Sequence, residues 1–156
     1  MIPFIDLKAQ FKHLEKDIRA GIDSVLEHGQ FILGPEVREL EKLLADFAGT
    51  KYALTCASGT DALLMPLMAK CIGPGDLVFT TPFTFVATAE VISLLCATPI
   101  FVDIDPVTFN MDPAKLELAI RAVKTGDPDL HPLPASLPAD AVSKAVIPVD
   151  LFGLPA

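Results

Sequence analysis

Between Tyr52 and Phe152, short apolar runs alternate with segments of helical periodicity, and this alternation most restricts what the chain can fold into. The runs are "YALTC" at 52–56, "LVFT" at 77–80, "PIFVD" at 99–103 and "AVIPVDLF" at 145–152. Helix-like stretches separate them: Gly59 to about Ile72, Thr84 to Cys96, and a segment opened by Asp112-Pro113 that carries Leu116, Ile120 and Val123. Near-continuous apolar strands joined through helices predict an α/β fold with a mainly parallel sheet covered on both faces. Two amphipathic helices are predicted ahead of it. Leu7, Phe11, Leu14, Ile18, Ile22 and Val25 recur at three- and four-residue steps between Asp6 and Gly29, and Pro35 starts a second series that ends at Gly49. The segment "TGDPDLHPLPASLPADAVS" at 125–143 carries four prolines and is long for an αβ connection, which predicts a surface excursion. Pro66 removes one intrahelical bond and predicts a kink.

Composition narrows the function classes. A chain of 156 residues, 51% hydrophobic and 21% charged, has the make-up of a globular domain. Its net charge of −8 and scattered basic residues argue against nucleic acid as a partner, since phosphate backbones are held by clustered Lys and Arg. Only Glu90 is charged between Leu77 and Val102, but two prolines and five threonines interrupt that stretch, so strand-helix-strand is expected there and not a membrane span. The N-terminus has early charges and no apolar h-region, unlike a secretory signal. Cys56, Cys71 and Cys96 form no CxxC pair and lie in apolar contexts, which predicts reduced, buried thiols in a cytoplasmic protein. His13, His28 and His131 lack metal-ligand spacing, so no metal is expected.

The stretch "CASGTDALL" joins the first apolar run to a helix through a Ser-Gly-Thr corner. Such a corner offers free N–H groups and the positive end of a helix dipole, and Gly59 lets an anion approach the backbone. It matches neither GxxxxGK[ST] nor GxGxxG. Taken alone, a Ser before a helix is more often just a cap that binds nothing.

Seven segments in order, "IPFIDLKAQ", "GQFILGPEVRELE", "SGTDAL", "GPGD", "TPFTFVATAE", "PIFVDIDPVTFNMDP" and "AVIPVDLFGLPA", resemble the N-terminal part of the DegT/StrS family of sugar-nucleotide aminotransferases, pyridoxal-phosphate enzymes of fold type I. The chain is most similar to members that aminate a UDP-linked 3-keto-N-acetylglucosaminuronic acid with glutamate as donor. The resemblance implies an incomplete fold type I large domain from residue 31 to 156, preceded by a helical segment over 1–30, and a homodimer in the cytoplasm. It implies a nucleotide-sugar substrate, an amino acid donor and the cofactor pyridoxal 5'-phosphate. Gly59, Thr60 and Asp61 would hold the cofactor phosphate through backbone N–H, with the Thr60 hydroxyl adding a bond. The Asp61 carboxylate would serve the helix first turn. Phe85 would stack on the pyridine ring; without the family match it reads as a core residue among Phe79, Phe83 and Phe101. Thr81 and Thr84 are candidates for the same pocket. Asp103 and Asp105 would only shape the loop after a strand, and Gly29, Phe31 and Gly34 would border the site with structural roles. None of the nine lysines sits in the family's lysine context, so the Schiff-base lysine is expected outside these residues, which alone would be inactive. Two alternatives stay open: a dehydratase of the same family that uses pyridoxamine phosphate, and a non-catalytic α/β binding or regulatory domain.

Overall fold

The computed structural model describes residues 4–135, 137–138 and 140–156. Residues 1–3, Ser136 and Ala139 lie outside it, and with them the first residues of the N-terminal motif and part of the proline-rich segment. The chain divides into two compact units, one ending at Thr55 and one starting at Cys56.

The first unit holds two helices, α1 (Leu7–His28) and α2 (Pro35–Ala48). The Asp6 carboxylate accepts the Ala9 N–H at the start of α1, and Gly29, in the left-handed region at φ 68°, closes it. Gly34 caps α2 ahead of Pro35, and left-handed Gly49 ends it. Between the helices the His28 ring bridges the turn: its Nδ1 accepts the Gln30 N–H at 3.0 Å, which leaves Nε2–H to donate to Glu36 Oε1 at 2.8 Å. That bond holds the Glu36 carboxyl below its usual pKa. Gly34 is required there for lack of space, because a Cβ would stand 2.5 Å from the Gln30 carbonyl oxygen. Gly34→Ala is therefore expected to lower stability by about 1–3 kcal/mol, the range for forced overpacking, with faster amide exchange around residues 28–36 as the measurement.

The run 53–56 is not a strand, contrary to expectation. A β-strand needs a neighbour for its N–H and C=O groups, and none pairs with this one among the described residues. Glu41 takes that place: its Oε1 accepts both the Thr55 N–H (2.9 Å) and the Thr55 hydroxyl (3.0 Å), and these bonds depress the Glu41 pKa. Tyr52 and Leu54 are exposed.

The second unit is a parallel three-stranded sheet with helices on both faces, as predicted. Its order along the chain is α3 (Gly59–Ala69), β1 (Asp76–Thr80), α4 (Ala87–Leu94), β2 (Thr98–Phe101), α5 (Pro113–Thr125) and β3 (Val142–Ile147). The sheet order is β2-β1-β3, with both pairings parallel. Side chains of central β1 alternate between two cores. Val78 joins Leu67, Val91 and Ile92 from α3 and α4, while Leu77 and Phe79 join Ile100, Val102, Met111 and Ala119 on the α5 side. Burial of such a large apolar side chain contributes about 1.5–3 kcal/mol, which explains why Leu77, Val78 and Phe79 are sealed from solvent.

Element ends differ from expectation for local reasons. The helix predicted from Thr84 begins at Ala87, and ahead of it the Thr84 hydroxyl is bonded to that of Thr88 (2.9 Å). β2 gives way after Phe101 once Asp103 Oδ1 turns back to accept the Ile104 N–H. β3 starts earlier than predicted, after Val142 N–H bonds the Gly75 carbonyl, and stops before Pro148, which has no N–H to donate. α3 runs unbroken through Pro66. The cysteines are exposed and not core residues. Cys71 and Cys96 occupy left-handed positions, φ 54° and 58°, that end α3 and α4 and turn their side chains outward, and the Cys56 thiol donates to the Ser58 carbonyl at 3.3 Å. No helix among the described residues is long and apolar enough to cross a membrane.

Candidate active site

The corner at Ser58 forms as the start of α3. Ser58 is extended, and its Oγ accepts the Asp61 N–H at 3.1 Å and donates to Asp61 Oδ2 at 3.0 Å. This reciprocal cap uses the Asp61 amide inside the chain. In this structure the Asp61 N–H, which the resemblance assigns to the cofactor phosphate, is bonded to Ser58 Oγ, and the Asp61 carboxylate accepts the Ser58 hydroxyl. The N–H groups of Gly59 and Thr60 have no acceptor among the described residues. Gly59 does not have a positive φ, and a Cβ placed there would meet no atom within 4 Å. No packing contact or backbone conformation requires glycine at 59. With the dipole of an 11-residue helix behind them, the two N–H donors and the Thr60 hydroxyl fit a phosphate.

Topology brings Phe85 to the same rim. α3 turns back through Cys71–Gly75 into β1, and 11 helical residues span about 16 Å, close to the roughly 17 Å of a five-residue strand. The N-terminus of α3 is thereby level with the carboxyl end of β1, from which Thr81–Val86 departs. Parallel sheets bind ligands at that end. Along this segment each side chain has its own fate. Thr81 is buried and its Oγ1 accepts the Phe83 N–H (3.1 Å); Thr84 is tied to Thr88; Phe85 is 74% exposed. Phe85 is therefore not a core residue. Thr81 and Thr84 spend their hydroxyls on the loop itself.

Asp103 and Asp105 do not form a carboxylate pair for acid-base work. Asp103 Oδ2 accepts from Lys115 Nζ at 3.0 Å, and Asp105 Oδ1 accepts the N–H groups of Val107 and Thr108. Both carboxyls titrate below the usual range, Asp103 chiefly through Lys115 and Asp105 through those two amides. They shape the loop, as expected. Gly29 and Gly34 serve the turn between α1 and α2, beside exposed Phe31.

One grouping was not anticipated. Phe83, Phe109 and Phe152 follow β1, β2 and β3 respectively and pack together, with ring centroids 5.8 Å (Phe83–Phe109), 6.4 Å (Phe83–Phe152) and 5.2 Å (Phe109–Phe152) apart. The Asn110 amide adds bonds to the carbonyls of Leu154 and Pro155. Their one trace in the sequence is a phenylalanine a few residues beyond the apolar runs at 77–80 and 99–103 and at the end of the run at 145–152, which has no meaning until the strands are parallel and adjacent.

Comparison with known proteins bears on the family and the fold. The model of the DegT/DnrJ/EryC1/StrS aminotransferase family matches residues 12–156. Over 153 residues the chain is 52% identical to the UDP-2-acetamido-2-deoxy-3-oxo-D-glucuronate aminotransferase of Pseudomonas aeruginosa, a match covering 98% of this chain and 37% of that protein. The crystal structure of a DegT DnrJ EryC1 StrS aminotransferase from Brucella abortus aligns with a TM-score of 0.89 at 47% identity, over 100% of this chain and 39% of the other. NtdA of Bacillus subtilis, solved with bound cofactor PMP, aligns at 0.80 and 29% identity over 99% of this chain and 32% of its own. The chain thus spans about a third of the length of these proteins, from 32% to 39%. With identity of about one half across nearly all of its residues and a sheet that aligns with solved aminotransferases, the chain belongs to the DegT/DnrJ/EryC1/StrS aminotransferase family.

Proposed function

We propose that these residues form the N-terminal part of the large domain of a pyridoxal-phosphate aminotransferase that aminates a nucleotide-linked keto sugar, with glutamate as amino donor, in amino-sugar or surface-polysaccharide synthesis. The observation that carries this reading is the pair of amides at Gly59 and Thr60 without an acceptor among the described residues, at the start of α3 in a chain of this family; exposed Phe85, on the segment that leaves the carboxyl end of β1, supports it. Gly59 and Thr60 hold the cofactor phosphate, Asp61 fixes the cap that aims them, and Phe85 covers one face of the pyridine ring. When bound, the cofactor supplies an electron sink for removal of a proton beside nitrogen. The lysine that carries it lies outside residues 1–156. Lys70 ends α3 far from Gly59, while Lys42, Lys115 and Lys144 are paired with Asp46, Asp103 and Asp76. The working enzyme is a cytoplasmic homodimer.

The test uses the longer protein that contains these residues. It is expected to bind pyridoxal phosphate, to be fixed to it by borohydride at a lysine outside 1–156, and to aminate a UDP-linked 3-keto sugar when given glutamate. Phe85→Ala is expected to weaken cofactor binding by about 0.5–1.5 kcal/mol, the worth of an aromatic stacking pair, as read by fluorescence titration. A lower melting temperature with unchanged affinity would return Phe85 to a structural role. Elimination of a sugar hydroxyl in place of amination would favour the dehydratase.

A further inference from the structure

Phe85 is an exposed aromatic on a loop whose flanking residues are pinned. On its carboxyl side, its own carbonyl accepts the Thr88 N–H at 3.1 Å. On its amino side, Thr84 is bonded to Thr88 and the Phe83 ring enters the aromatic cluster with Phe109 and Phe152. That cluster is held with some effort. Phe109 sits in the left-handed region, φ 63°, which is unfavourable for a bulky side chain. Its N–H donates to the Asp105 carbonyl at 2.8 Å, and the Asp105 N–H donates to the Asn110 carbonyl at 2.9 Å, closing the loop that forces this conformation. From the other side, Asn110 Nδ2 holds the segment beyond Phe152 by its bonds to Leu154 and Pro155.

A residue kept in a costly conformation, bonded on both sides and placed against loops from two other strands, is more than filler for a rim where Phe152 remains 69% exposed. Burial alone does not account for it. A side chain that must lie flat against a planar ligand loses affinity if its backbone wanders, because the rotational freedom surrendered on binding counts against the contact.

We propose that Phe109 and Phe152, with Asn110, are positioning residues. Through Phe83 they lock the loop that carries Phe85, so that its ring is set for the cofactor before the cofactor arrives. The cluster touches neither cofactor nor substrate and acts only through Phe85. This rests on the role given to Phe85 above.

The experiment is a double-substitution cycle in the longer protein, with the dissociation constant of pyridoxal phosphate measured by fluorescence titration of the cofactor-free protein. Phe152→Ala is expected to raise that constant about threefold to tenfold, the range of a lost aromatic pair, and by no more than Phe85→Ala does. Combining the two is expected to give the value of Phe85→Ala alone, and Phe152→Tyr, which keeps the aromatic ring, is expected to retain the native value. Should Phe152→Ala not fold, Phe109→Leu goes through the same cycle. Multiplying effects in the double variant would overturn the proposal, because the cluster would then act by another route. An unchanged constant in Phe152→Ala, with Phe85→Ala weakened, would overturn it and leave the cofactor role of Phe85 standing. No effect of Phe85→Ala would overturn both.

Discussion

In the longer protein, Gly59→Val is expected to reduce pyridoxal phosphate affinity by about tenfold to a hundredfold while the domain stays folded. The magnitude follows from one charge-assisted hydrogen bond, worth about 1.5–3 kcal/mol, lost when a branched side chain fills the space in front of the Gly59 and Thr60 amides. The fold should tolerate the change. The backbone at Gly59 is not left-handed, and a Cβ there meets no atom of the protein within 4 Å, so the penalty falls on what must enter that space. The measurement pairs a cofactor titration with a thermal melt. Lost stability with intact affinity would mean that the corner is only a helix cap. The control is Ser58→Ala, which removes the cap bond to the Asp61 amide and should cost about 1 kcal/mol of stability.

A polypeptide of residues 1–156 by itself is expected to self-associate and to show no cooperative unfolding. α1 is 22 residues long and contributes no buried residue, with Leu7, Phe11, Ile22 and Leu26 all exposed. In the second unit β2 and β3 are both edges of a three-stranded sheet, and Val142 and Val146 on β3 stay about half exposed. An open parallel edge with apolar neighbours is a template for pairing with another chain. The run 53–56, apolar and unpaired, adds a third such stretch. Sedimentation and hydrogen exchange on the segment and on the longer protein decide the matter. A monomer with one sharp unfolding transition would show that three strands suffice as a sheet, and would count against its role as part of a larger domain.

What the sequence alone determined is the set of features that depend on neighbours along the chain. Helix periodicity with Asp6, Gly29, Pro35, Gly49 and Asp112 at the ends placed α1, α2 and α5, since capping is a contact within one turn. The apolar runs at 77–80, 99–103 and 145–152 foretold a parallel sheet, although β2 and β3 keep only part of theirs. The start of α3 at Ser58-Gly59 was legible for the same local reason. Tertiary structure decided the rest. The run 53–56 has every mark of a strand and forms none, because a ladder requires a partner and Glu41 is what Thr55 finds. The cysteines look buried in sequence and are exposed, because helix-ending left-handed positions, and not hydrophobicity, set where Cys71 and Cys96 point. Phe83, Phe109 and Phe152, dozens of residues apart in places, meet only because parallel strands deliver all three of their carboxyl ends to one rim.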